Sequence, residues 1–447
     1  MKNGKIVYFL GNKVDLFLEY FDLLRITILN LINMLEKKNY TFAIVLITSL
    51  FFFWGFIHSL DPILIKHLRS AFSLNHTQAS LVDSAVFVAY FFLAIPAGLI
   101  MQRFGYKAGI LVGLVLFALG CFLFIPAANM VSYPFFLGAL FVLSCGLTIL
   151  ETAANPYITV LGDPDKATQR LNFAQSFNGL ASLIAPYLGG VLILAEEPKS
   201  SLEIAALSQA EKLSYIQAET ALVKGPYFVL GLIILIVAVL FFFTKLPEIK
   251  EEKTEDSSGG FFSAWKHKNV KWGVAAQFFY VGAQVYIFSF LLVFAEEAIG
   301  MSGQESKYYA VVSGFLFMIG RFIGTFFMRY IQPFKLLLWY SLMAVLFCFV
   351  AIYGSGMITL YALVGVAFFM SIMFPTIFAM GIEGTGADTK SASSLIIMSI
   401  VGGAVIPLIA GKITDLSSNI HLSYYVPLFC FVIVFFFAWN NRKVPGK

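Results

Sequence analysis

Charge is what this sequence most lacks. Only 12% of its 447 residues are charged, about half of the ~25% usual in soluble domains, while 59% are hydrophobic, 17% are aromatic and the mean hydropathy is +0.84. That balance excludes a soluble globular protein. Cysteine is equally sparse: Cys121, Cys145, Cys348 and Cys430 sit inside apolar runs with no C-x-x-C pairing, which points to packing residues rather than a disulfide framework. His58, His67, His76, His267 and His421 share no metal-ligand spacing with acids or cysteines, so neither a metal nor any other cofactor is expected. The formal charge of +5 gathers into no basic cluster, and a nucleic-acid partner is not expected either. Residues 1–39 have no small-residue cleavage site, and Asp15, Glu19, Asp22 and Arg25 interrupt their apolar clusters, which fits neither a signal peptide nor a spanning helix. Two readings remain for them: an amphipathic helix on the inner membrane surface, or a natural start at Met34 leading directly into the first span.

What the sequence has in abundance is apolar runs of bilayer length. They cover 42–65, 77–101, 108–127, 134–161, 172–194, 226–244, 272–295, 309–330, 334–353, 358–381, 392–411 and 423–440, each long enough to cross ~30 Å of hydrocarbon as a helix. Lipid offers the backbone no hydrogen-bond partner, so these runs are helices and the chain is an all-α membrane protein. With the N-terminus inside, Arg103, Lys107, Lys166, Arg170, Arg329, Lys335 and the basic tail from Arg442 fall in the cytoplasm with most of the 30 Lys+Arg. That asymmetry predicts two cytoplasmic termini.

The charged stretch 246–271 splits the spans six and six. It reads as a cytoplasmic linker between a half at 42–245 and a half at 272–441, with an extension at 1–41 and a tail at 442–447. The halves echo each other. Gly98-x-x-x-Gln102-Arg103 matches Gly324-x-x-x-Met328-Arg329, Pro156 matches Pro375, and Pro186 matches Pro407, all at nearly constant offset. Transporters built from such repeats hold their substrate between the halves near the midplane and rock one half on the other.

Polar residues line up inside the spans. Ser144, Thr148, Glu151, Asn155 and Thr159 share one face of span four. Hydrocarbon favours the protonated form of a mid-span carboxyl, so Glu151 is a candidate proton carrier; a neutral carboxylic acid bonded to a neighbouring helix is the alternative. Gln175, Asn178 and Ser182 in span five and Gln277, Tyr280 and Gln284 in span seven add amides and a phenol. With Asn155 and His58 they suit the paired hydroxyls of a sugar, whose C–H faces would stack on Trp54, Tyr90, Phe177 or Phe279. Helix-to-helix bonding is the alternative for each amide. Asp61 and Asp83 lie near the outer ends of spans one and two. If close together they would share a proton. Pro62 removes the amide that would bond the His58 carbonyl, and predicts a bent or open last turn in span one.

Gly98-Leu-Ile-Met-Gln-Arg-Phe-Gly-Tyr-Lys107 resembles the loop G-x-x-x-D-R-x-G-R-[RK] of the major facilitator superfamily, with Gln102 in place of the aspartate and Tyr106 in place of an arginine. The resemblance implies that Gly98, Arg103, Gly105 and Lys107, with Arg329 in the second copy, form a gating loop whose arginine holds the halves in one state. Leu-Glu-Thr-Ala-Ala-Asn-Pro at 150–156, Arg-Leu-Asn-Phe-Ala-Gln-Ser-Phe-Asn at 170–178, Tyr-Val-Gly-Ala-Gln at 280–284, Ile-Gly-Arg-Phe at 319–322, Pro-Thr-Ile-Phe at 375–378 and Asp-Thr-Lys at 388–390 resemble the fucose–galactose–glucose:proton symporter family, from about residue 42 to 440. That resemblance implies a twelve-helix major facilitator fold. It makes Glu151 the coupling acid and places Gln175, Asn178 and Gln284 in or beside a sugar cavity. Span one departs from the family's N-D-I-L: here Asp61-Pro62-Ile63-Leu64 puts Pro62 at the second acid's position, and Asp61 or Asp83 would take over its role. The expected function is import of a monosaccharide, L-fucose or a hexose such as glucose or galactose, with protons, by a monomer in the bacterial inner membrane among its lipids. Its rivals are a sodium-coupled or uncoupled carrier and, more remotely, a membrane enzyme on lipid-linked sugar.

Overall fold

The computed structural model describes residues 41–72, 74, 76–193, 207–244, 246–247 and 261–442. The extension before residue 41, the charged part of the linker and the tail after Arg442 lie outside the described residues. What is described is helical, with no strand among it. The elements are α1 (Thr41–Ala71), α2 (76–104), α3 (106–129), α4 (Tyr133–Val160), α5 (Ala167–Ile193), α6 (Gln209–Leu222), α7 (Lys224–Phe243), α8 (Lys268–Ile299), α9 (Gly303–Phe327), α10 (Pro333–Tyr353), α11 (Met357–Met370), α12 (Met373–Ile382), α13 (Thr389–Met398), α14 (Gly402–Ser417) and α15 (Tyr425–Asn441).

Among the described residues, ten stretches are long and apolar enough to span a membrane. One of them, Ser84–Asn129, contains two helices, because the chain turns at Gly105 with φ 80°, a conformation in which any Cβ is strained. A further helix, α5, has 27 residues, long enough to cross at 1.5 Å per residue, but its amides keep it off an apolarity scale. Counting α11–α12 and α13–α14 as one broken span each gives the twelve crossings expected from the sequence.

α6 was not expected. Ser208 caps it by accepting from the Glu211 amide, and the Glu211 side chain returns to the Ser208 backbone, a reciprocal box that the Ser-x-x-Glu spacing encodes. The helix lies against the C-terminal end of α1, where His67 Nε2 meets the Glu219 carbonyl at 2.9 Å and its Nδ1 lies 3.5 Å from the Glu219 carboxylate. The helix of span one runs past the expected end at residue 65, and past the last turn expected to be bent or open, as far as Ala71; a proline deletes only one helical bond, and Leu64, His67 and Leu68 beyond it stay buried.

α1 to α7 pack together, α1 on α5, α4 on α2 and α3, and α3 on α7; α8 packs on α12, α14 and α15, α9 on α11, and α10 on α11 and α15. The two groups meet through α2 with α13 and α5 with α9 and α12. Lipid gives helices no hydrophobic reason to associate, so close packing of small residues has to hold them. The α3–α4 contact shows this: a Cβ on Gly120 or Gly146 would overlap the backbone of Leu143 or Phe117. Replacing Gly146 by alanine should therefore destabilise the protein by about 1–3 kcal/mol, read as a lowered thermal midpoint in detergent. Gly138→Ala on the same helix, where an added Cβ meets nothing within 4 Å, should leave the midpoint unmoved.

Candidate functional site

Proline positions decide where polar side chains are needed. Pro156 has no amide hydrogen, so within α4 the Thr152 carbonyl has no helical donor. Ser393 Oγ of α13 donates to that carbonyl at 2.8 Å. Pro375 likewise frees the Ser371 carbonyl at the break between α11 and α12, and Arg321 Nε of α9 donates to it at 2.7 Å. A neighbouring carbonyl at the same break, that of Met370, accepts from the Tyr280 hydroxyl at 2.9 Å. Unsatisfied carbonyls cannot be left in hydrocarbon. The repeat-related prolines thus place a serine, an arginine and a tyrosine around one mid-molecule region.

Arg321 ties that region together. It is 3% exposed, and its Nη1 donates to the Gln175 carbonyl at 2.6 Å while lying 3.5 Å from Gln175 Oε1 and 3.4 Å from Asn178 Oδ1. Its guanidinium stands 4.5 Å from the centre of the Phe317 ring. Gln175 Nε2 in turn donates to Asn155 Oδ1 at 3.2 Å. A continuous polar line therefore runs from Asn155 on α4 through Gln175 on α5 and Arg321 on α9 to the α11–α12 break, where Tyr280 of α8 arrives.

On α4 itself three hydroxyls are used locally. Thr148 and Thr152 donate one turn back, to the Ser144 and Thr148 carbonyls at 2.8 and 2.7 Å, and Thr159 donates to the Pro156 carbonyl. What the polar face leaves for other chemistry is Glu151, Asn155 and the Ser144 hydroxyl, which is buried without a hydrogen-bond partner among the described residues. Glu151 is 2% exposed; the Tyr90 hydroxyl of α2 hydrogen-bonds its carboxyl, and His58 of α1 lies within electrostatic reach. His58 Nε2 is 3.1 Å from the same hydroxyl.

Among the described residues, Asn155 Nδ2 and both polar atoms of the Gln277 side chain are buried without a hydrogen-bond partner. Each such atom costs ~1–3 kcal/mol, and a ligand bearing hydroxyls recovers that cost. Gln284, two turns beyond Gln277, is half-buried, as are Asn178 and His58. Tyr280 is fully buried with its hydroxyl on Met370, so it holds the helix break. Phe279 packs edge-on against Phe429 of α15 and Trp54 stacks on Phe51. The side chains of Asp61 and Asp83 lie outside those described.

At the end that carries the loops after α2, α4, α9 and α12, further bonds cross between the groups. Gln169 Nε2 donates to the Thr325 carbonyl at 3.1 Å, Asn172 Nδ2 to Thr376 Oγ1 at 3.1 Å and Gln102 Nε2 to Ser391 Oγ at 2.6 Å. In the loop between α2 and α3 the bond that crosses between the groups comes from Gln102, while Arg103 is exposed and sits 5.1 Å over the Phe104 ring. One residue along a helix rotates a side chain by about 100°. Lys107 Nζ donates to the carbonyls of Phe242 and Thr244 at 2.8 and 2.9 Å and so caps the end of α7. Lys390 Nζ reaches across to within 5.1 Å of the Tyr106 ring. Gly98 is buried and Arg329 exposed. Arg321 is the residue that sequence reasoning left without a role; its one signal was a cation inside an apolar span.

A model of the Major Facilitator Superfamily matches residues 42–399. A glucose/galactose transporter of Brucella abortus is 40% identical over 91% of this chain and 96% of its own. The L-fucose-proton symporter of Escherichia coli is 39% identical over 90% of this chain and 94% of its own. The crystal structure of FucP in the outward conformation superposes with a TM-score of 0.84 at 38% identity, covering 90% of this chain and 99% of that one.

Arg321→Lys tests the polar line. A single ammonium in place of a planar fork cannot serve the Ser371 and Gln175 carbonyls together, which should weaken closure at this end by ~1–3 kcal/mol. Because the native cysteines are buried, spin labels at Asp165→Cys and Gln332→Cys, across the cavity between α4–α5 and α9–α10, should report longer and broader distances in the variant.

Proposed function

The chain belongs to the major facilitator superfamily, and from that premise we propose that it is a secondary active transporter importing a monosaccharide together with protons. It is a carrier rather than an enzyme, as are its relatives named above. The observation that carries the reading is the buried carboxyl of Glu151, one turn from Asn155 and its line of amides through Gln175 to Arg321. A carboxyl in a dry site binds a proton readily and gives it up once water reaches it. Amides left partly unpartnered at the same depth accept and donate to sugar hydroxyls.

The transport cycle follows from where the two groups touch. The polar bonds described between them run from midplane to the end bearing Gln102, Gln169 and Asp388. The excess of Lys and Arg supports placing that end in the cytoplasm of a bacterial inner-membrane protein with both termini inside. The arrangement is then closed inward, and a sugar would enter from the opposite side to meet Gln284, Asn178 and His58. Arg103 and Arg329 stand at the closed end, with Gln102 making the crossing bond. The identities to a glucose/galactose transporter and to an L-fucose-proton symporter, 40% and 39%, support both sugar classes equally. Epimers differ by one hydroxyl, and a small displacement of one amide decides between them.

Uptake of labelled L-fucose, D-galactose and D-glucose, with and without a protonophore and with and without sodium, tests this reading directly. One of the three should accumulate and the protonophore alone should collapse it. Glu151→Gln mimics the protonated acid permanently, so it should abolish uphill accumulation while sugar exchange persists; accumulation at the wild-type level would remove Glu151 from coupling. Gln175→Ala and Gln284→Ala should each weaken sugar binding by ~1–3 kcal/mol with little change in folded yield. A matching loss of folded protein would assign these amides to helix packing instead.

A further inference from the structure

The hydrogen bonds around Glu151 extend beyond the coupling acid itself. His58, Tyr90 and Glu151 come from three helices, α1, α2 and α4, and join through one atom. The Tyr90 hydroxyl lies 3.1 Å from His58 Nε2 and also hydrogen-bonds the Glu151 carboxyl. The His58 and Tyr90 rings are not stacked, with centroids 6.1 Å apart and planes at 34°, so their contact is through the polar atoms. Burial sets in after the first member: His58 is half-buried, whereas Tyr90 and Glu151 are 1% and 2% exposed. One end of the chain is thus partly exposed and the other end is dry.

We propose that His58 and Tyr90 form a proton relay that charges and discharges Glu151. The proposal rests on the reading of Glu151 as the coupling acid. A tyrosine hydroxyl has one proton to donate and lone pairs to accept. With Glu151 ionised, Tyr90 donates to the carboxylate and accepts from His58 Nε2–H. Transfer moves the His58 proton onto the Tyr90 oxygen as the Tyr90 proton passes to Glu151. One N–H and one O–H bond break and two O–H bonds form, leaving neutral imidazole, neutral phenol and neutral acid. The donor is therefore the imidazolium form of His58, made beforehand when its other ring nitrogen takes a proton from hydronium and leaves water; the reverse sequence discharges Glu151 and returns that proton to solvent. Histidine suits the outer position because its ordinary titration range lies closest to neutrality.

Few charges compete for this role. α4 faces the chain with Glu151 and α2 with Tyr90; α5, packed against Gly55 one turn before His58, presents the neutral Asn178. α6 contributes Glu219, which is occupied by His67 more than two turns further along α1. Asp61, three residues after His58, and Asp83, two turns before Tyr90, are carried on the same two helices.

The test uses the full chain in proteoliposomes holding a pH-sensitive dye, with the sugar that the wild type accumulates. Tyr90→Phe keeps the ring and breaks the relay; His58→Gln keeps a hydrogen-bonding group and removes titration. Sugar-driven proton entry should slow by at least about tenfold in Tyr90→Phe, and by more than any change in sugar affinity. In His58→Gln the inflection of the rate with pH that His58 gives the wild type should disappear, while His58→Ala should behave as His58→Gln does. Proton entry and pH profile within about twofold of wild type in both variants would overturn the relay while Glu151→Gln still abolished accumulation. A loss fully explained by weaker sugar binding, with the pH profile unmoved, would overturn it too and make His58 a sugar contact. Retained accumulation in Glu151→Gln would remove the coupling reading, and the relay with it. If either variant fails to fold, the other decides the question.

Discussion

Every carbonyl in a bilayer needs a donor, and this requirement organises the molecule around two prolines. Pro156 and Pro375 stand at matching places in the two copies of the repeat, and each withholds one donor from a carbonyl one turn earlier. The carbonyls so released, those of Thr152 and Ser371, are bonded by Ser393 and Arg321. Ser393 belongs to the opposite group of helices. Arg321 belongs to the same group as Ser371, yet spends its other nitrogen on Gln175 across the interface. Backbone defects thus become the points at which the two groups of helices are joined.

Magnitudes explain why such a joint can open. A neutral hydrogen bond contributes only ~0.5–1.5 kcal/mol net, and one to a charged group ~1.5–3. A handful of them, from Gln102–Ser391 through Gln169–Thr325 to Arg321–Gln175, is comparable with the binding energy of one sugar. A rigid hydrophobic seam of the same extent would not release on that scale. The glycine-lined contact of α3 with α4 is of the rigid kind, since Gly120 and Gly146 bring backbone against backbone. The structure therefore combines contacts within each group that do not yield with contacts between groups that do.

Arg321 also accounts for how a full charge is tolerated at depth. Burying a cation costs several kcal/mol unless it is bonded on all sides. Two carbonyls, two side-chain oxygens and the face of Phe317 surround it. With no carboxylate needed for neutralisation there, Glu151 stands apart from this cation, beside Tyr90 and His58.

Much of this was legible from residue order alone. Hydrocarbon length and the absence of charge set the spans, the repeated Gly and Pro positions set the duplication, and an acid on a polar helical face singled out Glu151. All these depend on composition and on helical period, which are local. Local reading also found α1 but stopped it at residue 65, because the support that carries it to Ala71 comes from α6, distant in sequence. That Gln102 bonds Ser391 across the groups was not legible either, since residue type is visible in a sequence and side-chain direction is not. The sequence by itself determined that twelve helices cross lipid and which of them carry polar faces. Only the tertiary structure decided which polar groups meet: that Arg321 answers Pro375, that Ser393 answers Pro156, and that His58 reaches Glu151 through Tyr90. Such pairings depend on how helices rotate and approach one another, and no pattern within a single helix encodes that.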